Sequence, residues 1–359
     1  MKVRQLSLFQ FKNHPQFSLD FDAEITCITG RNGSGKTNIL DAVYLLCTCK
    51  SYFNPTDFQL IQHGENVCSI QGKFTGQNEI DLHMLIESGK KKKLKKNDKY
   101  YEKLSEHLGL IVSVFISPDD IELVQGHSDV RRKFLDICIS QTDRLYLQNL
   151  TEYNKILERR NAQLKTFARH KHFDEIILES LDHQLVPAGE YIYQKRAEVL
   201  ETLNKSFNKF YKMISSGTED VKFSYKSDLH GTGFSALLKE NTDEDLRLER
   251  TSRGPHRDDI EFEIDGHPLK RFGSQGQSKS FIISLKLAQY EFFTKELKTQ
   301  PILLLDDLFE KIDEERAQKL IDLLQTDEFG QILLTDTHPE RVKKHFENVN
   351  KKINFVVLK

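Results

Sequence analysis

Eight residues, Gly30-Arg31-Asn32-Gly33-Ser34-Gly35-Lys36-Thr37, follow the spacing G-x-x-x-x-G-K-[ST]. That spacing serves the holding of a triphosphate. Its glycines let the backbone turn so tightly that successive N–H groups point at one anion. A helix starting at the end of the loop adds free N–H donors and a partial positive charge. Gly30, Arg31, Asn32, Gly33, Ser34 and Gly35 are expected to form the cradle, with Lys36 reaching the β- and γ-phosphates and Thr37 holding Mg²⁺ through its hydroxyl.

Two further stretches carry chemistry. Ile302-Leu303-Leu304-Leu305 is an apolar run ending in Asp306-Asp307. A carboxylate at the C-terminal end of a buried parallel strand stands where open α/β sheets bind ligands. Asp306 is expected to hold Mg²⁺ through water, and Asp307 to orient or deprotonate an attacking water. The plainer alternative is an acidic helix cap after a core strand. Phe272-Gly273-Ser274-Gln275-Gly276-Gln277 opens a long helical pattern, and Ser274 and Gly276 at a helix start make a second phosphate-binding device. The alternative there is an N-cap by Ser274. One site has little use for two such cradles, whereas two copies packed head to tail can contribute one each.

The elements around these motifs must position them. Ile25–Thr29 reads as an apolar strand feeding the first loop, and Asn38–Leu46 as the helix leaving it. Alternation predicts strands on either side of an Asn13-His14-Pro15 turn, at Val67–Phe74 and at Ile80–Glu87, with the lysine run Lys90–Lys96 as a hairpin tip. Leu110–Ile116 reads as a buried strand. From Ser128 to about Ser215 the spacing of apolar residues is helical, with a kink or break expected at Pro187. Val221–Tyr225 reads as a strand and Leu237–Arg250 as helix. Glu261–Ile264 reads as a strand turning at Asp265-Gly266, Gln277–Leu297 as helix, and Gln331–Leu334 as another core strand.

Composition narrows the class. The chain has 359 residues, 30% of them charged, with a net charge of −2, so any nucleic-acid surface is a local patch. No apolar stretch is long enough to span a bilayer, and the N-terminus alternates from residue 3 without a signal-peptide core. Five scattered cysteines, with Cys47-Thr48-Cys49 as a lone C-x-C, read as buried free thiols in a reducing cytoplasm.

Ser274-Gln275-Gly276-Gln277 resembles the signature motif of ABC-type ATPases. Asp306 lies 270 residues beyond Lys36, too far for a simple transporter ATPase, and the helical middle accounts for the gap. That layout is similar to the SMC-like branch and, within it, to the RecF family of bacterial gap-repair proteins. The likeness runs from end to end. It includes Asn32–Asn38, Ser117-Pro118-Asp119-Asp120, Arg131-Arg132-Lys133-Phe134-Leu135-Asp136, Gly254-Pro255-His256-Arg257-Asp258-Asp259, Phe272–Gln277 and Leu304–Asp307. The resemblance implies an α/β fold: an ABC-type P-loop head, mixed sheet lobe plus parallel core, with an inserted α-helical arm. Residues 1–125 and 251–359 would form the head and 126–250 the arm.

It also implies a homodimer formed on ATP binding. ATP would sit between Lys36 and Thr37 of one copy and Ser274, Gly276 and Gln277 of the other. DNA would be gripped without sequence specificity, near gaps or junctions of single and double strands. RecO and RecR would be partners in loading RecA, with links to replication and the SOS response. Where such heads carry a metal-loop glutamine, this chain has Ser117-Pro118-Asp119. Asp307 replaces the usual glutamate, which implies slow hydrolysis. His338 is offset from the usual switch position, and Asp313 in Glu310-Lys311-Ile312-Asp313 matches the loop at the dimer seam.

For DNA, two basic stretches stand out. Six lysines lie between Lys90 and Lys96, and ten Lys/Arg face four Asp/Glu between Arg131 and Lys171. Lys91, Lys92, Lys93, Arg131, Arg132, Arg159 and Arg160 are the expected phosphate contacts. A solvated charged face is the alternative for both stretches. Two other functional classes stay open: an ABC-type ATPase subunit of a nuclease or transporter-like complex, and a nucleotide-binding interaction protein without a DNA role.

Overall fold

The structure, a computed structural model, describes residues 1–215, 219–309, 312–347 and 349–358. Glu310 and Lys311, beside Asp313, therefore lie outside the described residues. The first part runs β1 (Lys2–Phe11), β2 (His14–Asp20), β3 (Ile25–Gly30), α1 (Lys36–Thr48), β4 (Val67–Thr75), β5 (Glu79–Glu87), β6 (Lys93–Lys96), β7 (Lys99–Tyr100) and β8 (Ser113–Ile116). Helices α2 (Glu122–Gln125), α3 (Ser128–Thr142), α4 (Arg144–His170) and α5 (Glu175–Ser215) follow. Next come β9 (Val221–Lys226), α6 (Phe234–Glu240), α7 (Thr242–Leu248), β10 (Asp259–Ile264), β11 (His267–Pro268) and α8 (Leu269–Phe272). The chain closes with α9 (Gln275–Leu297), β12 (Ile302–Leu305), α10 (Glu314–Leu324), β13 (Ile332–Asp336), α11 (Pro339–Phe346) and β14 (Ile353–Leu358).

Two compact units emerge. The first comprises Met1–Ile121, Lys209–Thr218 and Ser274–Lys359; the second comprises Glu122–Asn208 and Glu219–Gly273. Residues 251–273, expected with the head, fall in the second unit. Backbone pairing explains this: β10 pairs antiparallel with β9 from Asp259↔Lys226 to Ile264↔Val221.

The first unit holds two sheets. One is an antiparallel sheet in the order β2-β1-β4-β5-β6-β7, and the other has the order β14-β3-β13-β12-β8 with parallel pairing throughout. Helix α1 shares one core cluster with residues of both sheets, including Leu6, Ile70, Met84, Phe115 and Leu304. That explains why Ile39 through Cys47 are buried almost all round instead of along one stripe. The fold class expected from the sequence, a mixed sheet plus a parallel core with an inserted helical part, is the fold observed.

Several local expectations change. The lysine run is split: Lys90–Lys92 form the turn region and Lys93–Lys96 enter β6. Helix α9 starts at Gln275, two residues earlier than its apolar periodicity indicates, because Ser274 caps it. Pro187 lies inside α5, which is helical from Glu175 to Ser215. A proline lacks the N–H for one helical bond. The buried row Leu185, Ala188, Ile192, Val199 and Leu203 holds the helix across that gap. Strand β14 carries no strong period-two signal, since it is an edge strand with Phe355 and Val357 exposed. All five cysteines are buried and free. No helix among the described residues is long and apolar enough to cross a membrane.

Candidate nucleotide site

The loop Gly30–Thr37 joins the C-terminal end of β3 to the first turn of α1. Two of its glycines are required by space. A Cβ on Gly30 would sit 2.8 Å from the Leu358 carbonyl oxygen of neighbouring β14. At Gly35, with φ +93°, a Cβ would lie 2.3 Å from His14 Nε2. The β1–β2 turn braces the loop from that side. Asn13 Nδ2 donates to the Gly33 carbonyl at 3.0 Å, His14 Nε2 lies 3.1 Å from the Gly35 carbonyl, and Asn38 Nδ2 donates to Asn13 Oδ1 at 2.7 Å. Asn13 and His14 enter the sequence argument only as a turn, because nothing local marks their reach to residues 33–38.

Lys36 is buried, and its ammonium donates to the carbonyls of Gly30 (3.0 Å) and Arg31 (3.1 Å). These are weak, exchangeable partners that anionic oxygens would replace. Ser34 Oγ is buried with no hydrogen-bond partner in the structure. That hydroxyl keeps a donor uncommitted within a loop of the phosphate-binding type.

The acidic pair meets the loop. Thr37 Oγ1 donates its one proton to the Asp306 carboxylate, whose two oxygens lie 2.8 Å and 3.1 Å away. Thr335, at the end of β13, donates a second bond to Asp306 at 2.6 Å and accepts the Asp307 N–H at 3.1 Å. Thr335 carries no motif; the end-of-strand rule that selects Asp306 selects it too, given the β12–β13 register. Burial raises the Asp306 pKa, opposed by the hydrogen bonds from Thr335 and Thr37. Asp307 has φ +41°, an uncommon conformation for a non-glycine residue and one that clusters at functional sites.

Strand β8 runs beside β12, with Leu305 opposite Ile116 and the Asp306 N–H bonded to the Ile116 carbonyl at 2.8 Å. Ser117 is therefore next to Asp306 at the sheet edge. Its hydroxyl is buried and without a partner. Thr37, Asp306 and Ser117 together offer only oxygen donors, the set that a hard cation such as Mg²⁺ prefers. Asp119, two residues on, is exposed. Asp120 is turned inward, where it pairs with Lys286 at 2.9 Å and accepts from Tyr52 Oη and the Ser117 N–H.

Ser274 is the N-cap of α9 in a full capping box: its hydroxyl accepts from Gln277 N, and Gln277 Oε1 accepts from Ser274 N at 2.7 Å. The cap engages the Gln277 amide, leaving those of Gln275 and Gly276 at the helix mouth. Asp313 caps α10 by accepting from Arg316 N, and Arg316 Nη1 donates to Ser280 on α9 at 2.8 Å. His338 is 71% exposed. The buried carboxylate beside it, Asp336, is held by Arg341 at 2.8 Å.

The basic residues separate sharply. Lys91, Lys93 and Arg159 are exposed. Lys92 is tied to Asp57 at 2.7 Å. Arg160, expected to meet DNA phosphates, is fully buried, bonded to Asp182 and Asp245 at 2.6 Å each and to Thr251 at 2.9 Å. Arg131 is likewise engaged: it makes a two-pronged pair with Asp259 (2.7 and 3.0 Å) and donates to the carbonyls of Leu123 and Gly126. Arg132 donates to the Asp258 carbonyl at 2.6 Å. Arg160 and Arg131 are thus corrected from phosphate contacts to structural residues, because their guanidinium groups are already engaged by carboxylates.

The Gly254–Asp259 motif belongs to the same network. A Cβ on Gly254 would strike the Phe234 ring at 2.7 Å. Arg196 donates to the Pro255 carbonyl at 2.6 Å and to Asp136 at 2.9 Å. His256 sits between Tyr153 Oη (2.7 Å) and the Thr251 carbonyl (3.1 Å).

A phosphate loop and an acidic strand end on one parallel sheet, with an antiparallel sheet sharing the core of the helix between them, define an ABC-type ATPase head. The family model for the RecF/RecN/SMC N terminal domain matches residues 2–356. The DNA replication and repair protein RecF of Flavobacterium johnsoniae is 45% identical over 344 residues, 96% of each chain. That of Cytophaga hutchinsonii is 38% identical over 359 residues, 100% of this chain and 95% of the other. A solved structure of the recombination mediator protein RecF with ATP, in the RecFOR pathway, is 30% identical with TM-score 0.86, covering 94% of this chain and 92% of that one. The chain belongs to the RecF family.

Proposed function

We propose that this chain is an ATP-switched DNA clamp of recombinational gap repair in the cytoplasm. Two copies join around ATP, each giving its Gly30–Thr37 loop to one nucleotide and its Ser274, Gly276 and Gln277 to the other. The joined surface grips DNA at gaps or junctions, helps RecO and RecR load RecA, and supports replication and SOS induction. Slow hydrolysis releases it.

The observation that carries this reading is the unengaged polar capacity around Asp306. The hydroxyls of Ser34 and Ser117 lack partners, and Lys36 rests on two carbonyls that phosphate oxygens would displace. Thr37, Asp306 and Ser117 would hold Mg²⁺, whose charge offsets that of the phosphates when bound. Lys36 then orients the terminal phosphate. Asp307, on the strand end beside Thr335, accepts a proton from water at its carboxylate. Its side chain is one methylene shorter than glutamate, which places the base farther from the water and keeps turnover slow. The exposed Ser274 cap, a second helix N-terminus besides the one at Lys36, supports a ligand shared with a second copy.

The test compares Lys36→Arg and Ser274→Arg with the unmodified protein by light scattering, with and without ATP and gapped DNA. Both variants are expected to stay monomeric and to lose ATP-dependent DNA binding. Dimerisation and DNA binding by both at unmodified strength would sink the shared-site reading.

A further inference from the structure

The six-stranded sheet ends in a hairpin that the nucleotide site does not use. Strands β6 and β7 are joined through Asn97 and Asp98, with φ of 47° and 65°. Positive φ at both central residues makes the tight mirror-image turn that matches strand twist. The Tyr101 N–H bonded to the Leu94 carbonyl at 3.0 Å, and Tyr101 Oη at 3.1 Å from His107 Nδ1, fix the strand beyond the turn. An open hollow of about 750 Å³ lies here, lined by Lys91, Lys92, Lys93, Tyr100, Tyr101 and Asp57 among others.

The hollow combines two chemistries, exposed ammonium groups and an exposed aromatic ring. Lys92 is held by Asp57, but Lys91 and Lys93 are exposed, and their ammonium groups have no ion pair or hydrogen bond among the described residues. Glu102 is the other acidic residue of the lining, and outside it Glu87 feels the charge of Lys93. Tyr100 is 57% exposed, with the Lys95 ammonium 4.8 Å from its ring centroid. A large aromatic ring on an edge strand leaves apolar area in water, a cost that burial against a ligand recovers. Lysines alone would suit any anion; a flat exposed ring among them suits a ligand that alternates rings with phosphates. Single-stranded nucleic acid is that ligand, since an unpaired base offers its face for stacking and a duplex does not. An acidic peptide would use the lysines and leave the ring bare.

We propose that this hollow is a subsite for an unpaired nucleotide segment. A base stacks on Tyr100, and Lys91 and Lys93 take the flanking phosphates. The inference rests on the DNA-binding reading above and adds strand selectivity to it.

The chain has no tryptophan, so Tyr100→Trp makes a single fluorescent reporter at the proposed stacking face. Oligothymidylate, and a duplex carrying an unpaired overhang, are expected to quench it, and blunt duplex to leave it unchanged. Tyr100→Ala is expected to weaken overhang binding about tenfold relative to blunt duplex, with Tyr100→Phe restoring it. Changing Lys91 and Lys93 together to Gln should lower the salt slope for single strands by about 1.4. Equal quenching by blunt duplex or by polyglutamate would overturn the proposal. So would unquenched indole fluorescence from the Tyr100→Trp variant while it binds overhang DNA, as measured by anisotropy of the labelled strand. Absence of all DNA binding by the unmodified protein would remove the clamp reading and this one together.

Discussion

The nucleotide loop and the arginine network of the second unit both carry basic side chains, and from sequence alone both invite a binding role. Their structures differ in how far the polar groups are already engaged. Around Asp306, two hydroxyls are left over and Lys36 rests on backbone carbonyls. In the second unit, Arg160 meets Asp182, Asp245 and Thr251, and Arg196 meets Asp136, Asp258 and the Pro255 carbonyl. A ligand site keeps hydrogen-bonding capacity unengaged, whereas this scaffold pairs each buried guanidinium with carboxylates and leaves only an acceptor, Asp258 Oδ1, without a hydrogen-bond partner in that network, since unpaired buried charge is costly. The contrast makes opposite demands on substitution.

The largest effect is expected at Arg160. Arg160→Met leaves Asp182 and Asp245 facing one another without their cation, and should destabilise the second unit by about 3–5 kcal/mol in urea unfolding. ATP affinity should not move. A loss under about 1 kcal/mol would mean that the network is not structural, and the contrast would fail.

Acid offers the next test, because each unit contains a histidine held in the same way. His107 Nε2 lies 2.7 Å from the Leu46 carbonyl with Nδ1 facing Tyr101 Oη; His256 Nε2 lies 3.1 Å from the Thr251 carbonyl with Nδ1 facing Tyr153 Oη. Nε2 then donates and Nδ1 accepts, so the neutral ring is fully satisfied. Burial lowers both pKa values from 6.5 to about 4. Between these values the unfolded chain binds more protons. Stability is therefore full above about pH 6.5 and is lost as pH falls toward about 4, by on the order of 3 kcal/mol per histidine. His107→Gln and His256→Gln should each flatten part of the urea-midpoint-versus-pH curve. Unchanged curves for both would assign the acid sensitivity to carboxylates.

At the ligand site the expected effect falls on affinity. Lys36→Met should reduce ATP affinity about 10- to 100-fold, roughly 1.4–2.8 kcal/mol, while changing folding stability by less than about 1 kcal/mol. Calorimetric titration and urea unfolding on the same preparation decide it. A stability loss matching the affinity loss would make Lys36 as structural as Arg160.

This contrast also explains what is legible in the sequence. The loop is readable because its parts are contiguous, and Asp306-Asp307 because an apolar run announces a core strand. Thr335 needs the β12–β13 register. Ser117 needs β8 to be placed beside β12, which α2 through α9 separate in the chain. Arg131 reads wrongly as a phosphate contact because its carboxylate partner, Asp259, lies 128 residues away. Local charge counts cannot distinguish a cation that awaits a phosphate from one already paired with a distant carboxylate. Glycine spacing can reveal a loop, because its requirement is local backbone geometry.

The smallest and cleanest effect lies between two neighbours. Arg159 and Arg160 are adjacent on α4, and successive helical residues point about 100° apart. One is exposed and the other fully buried. If the exposed face of α4 meets DNA, Arg159→Gln should leave unfolding within about 0.5 kcal/mol of the unmodified protein and lower the salt slope of DNA binding by about 1. A slope unchanged by Arg159→Gln would assign that face to solvent. DNA contact would then be left to the Lys91–Lys93 region, where a reporter at position 100 can detect it directly.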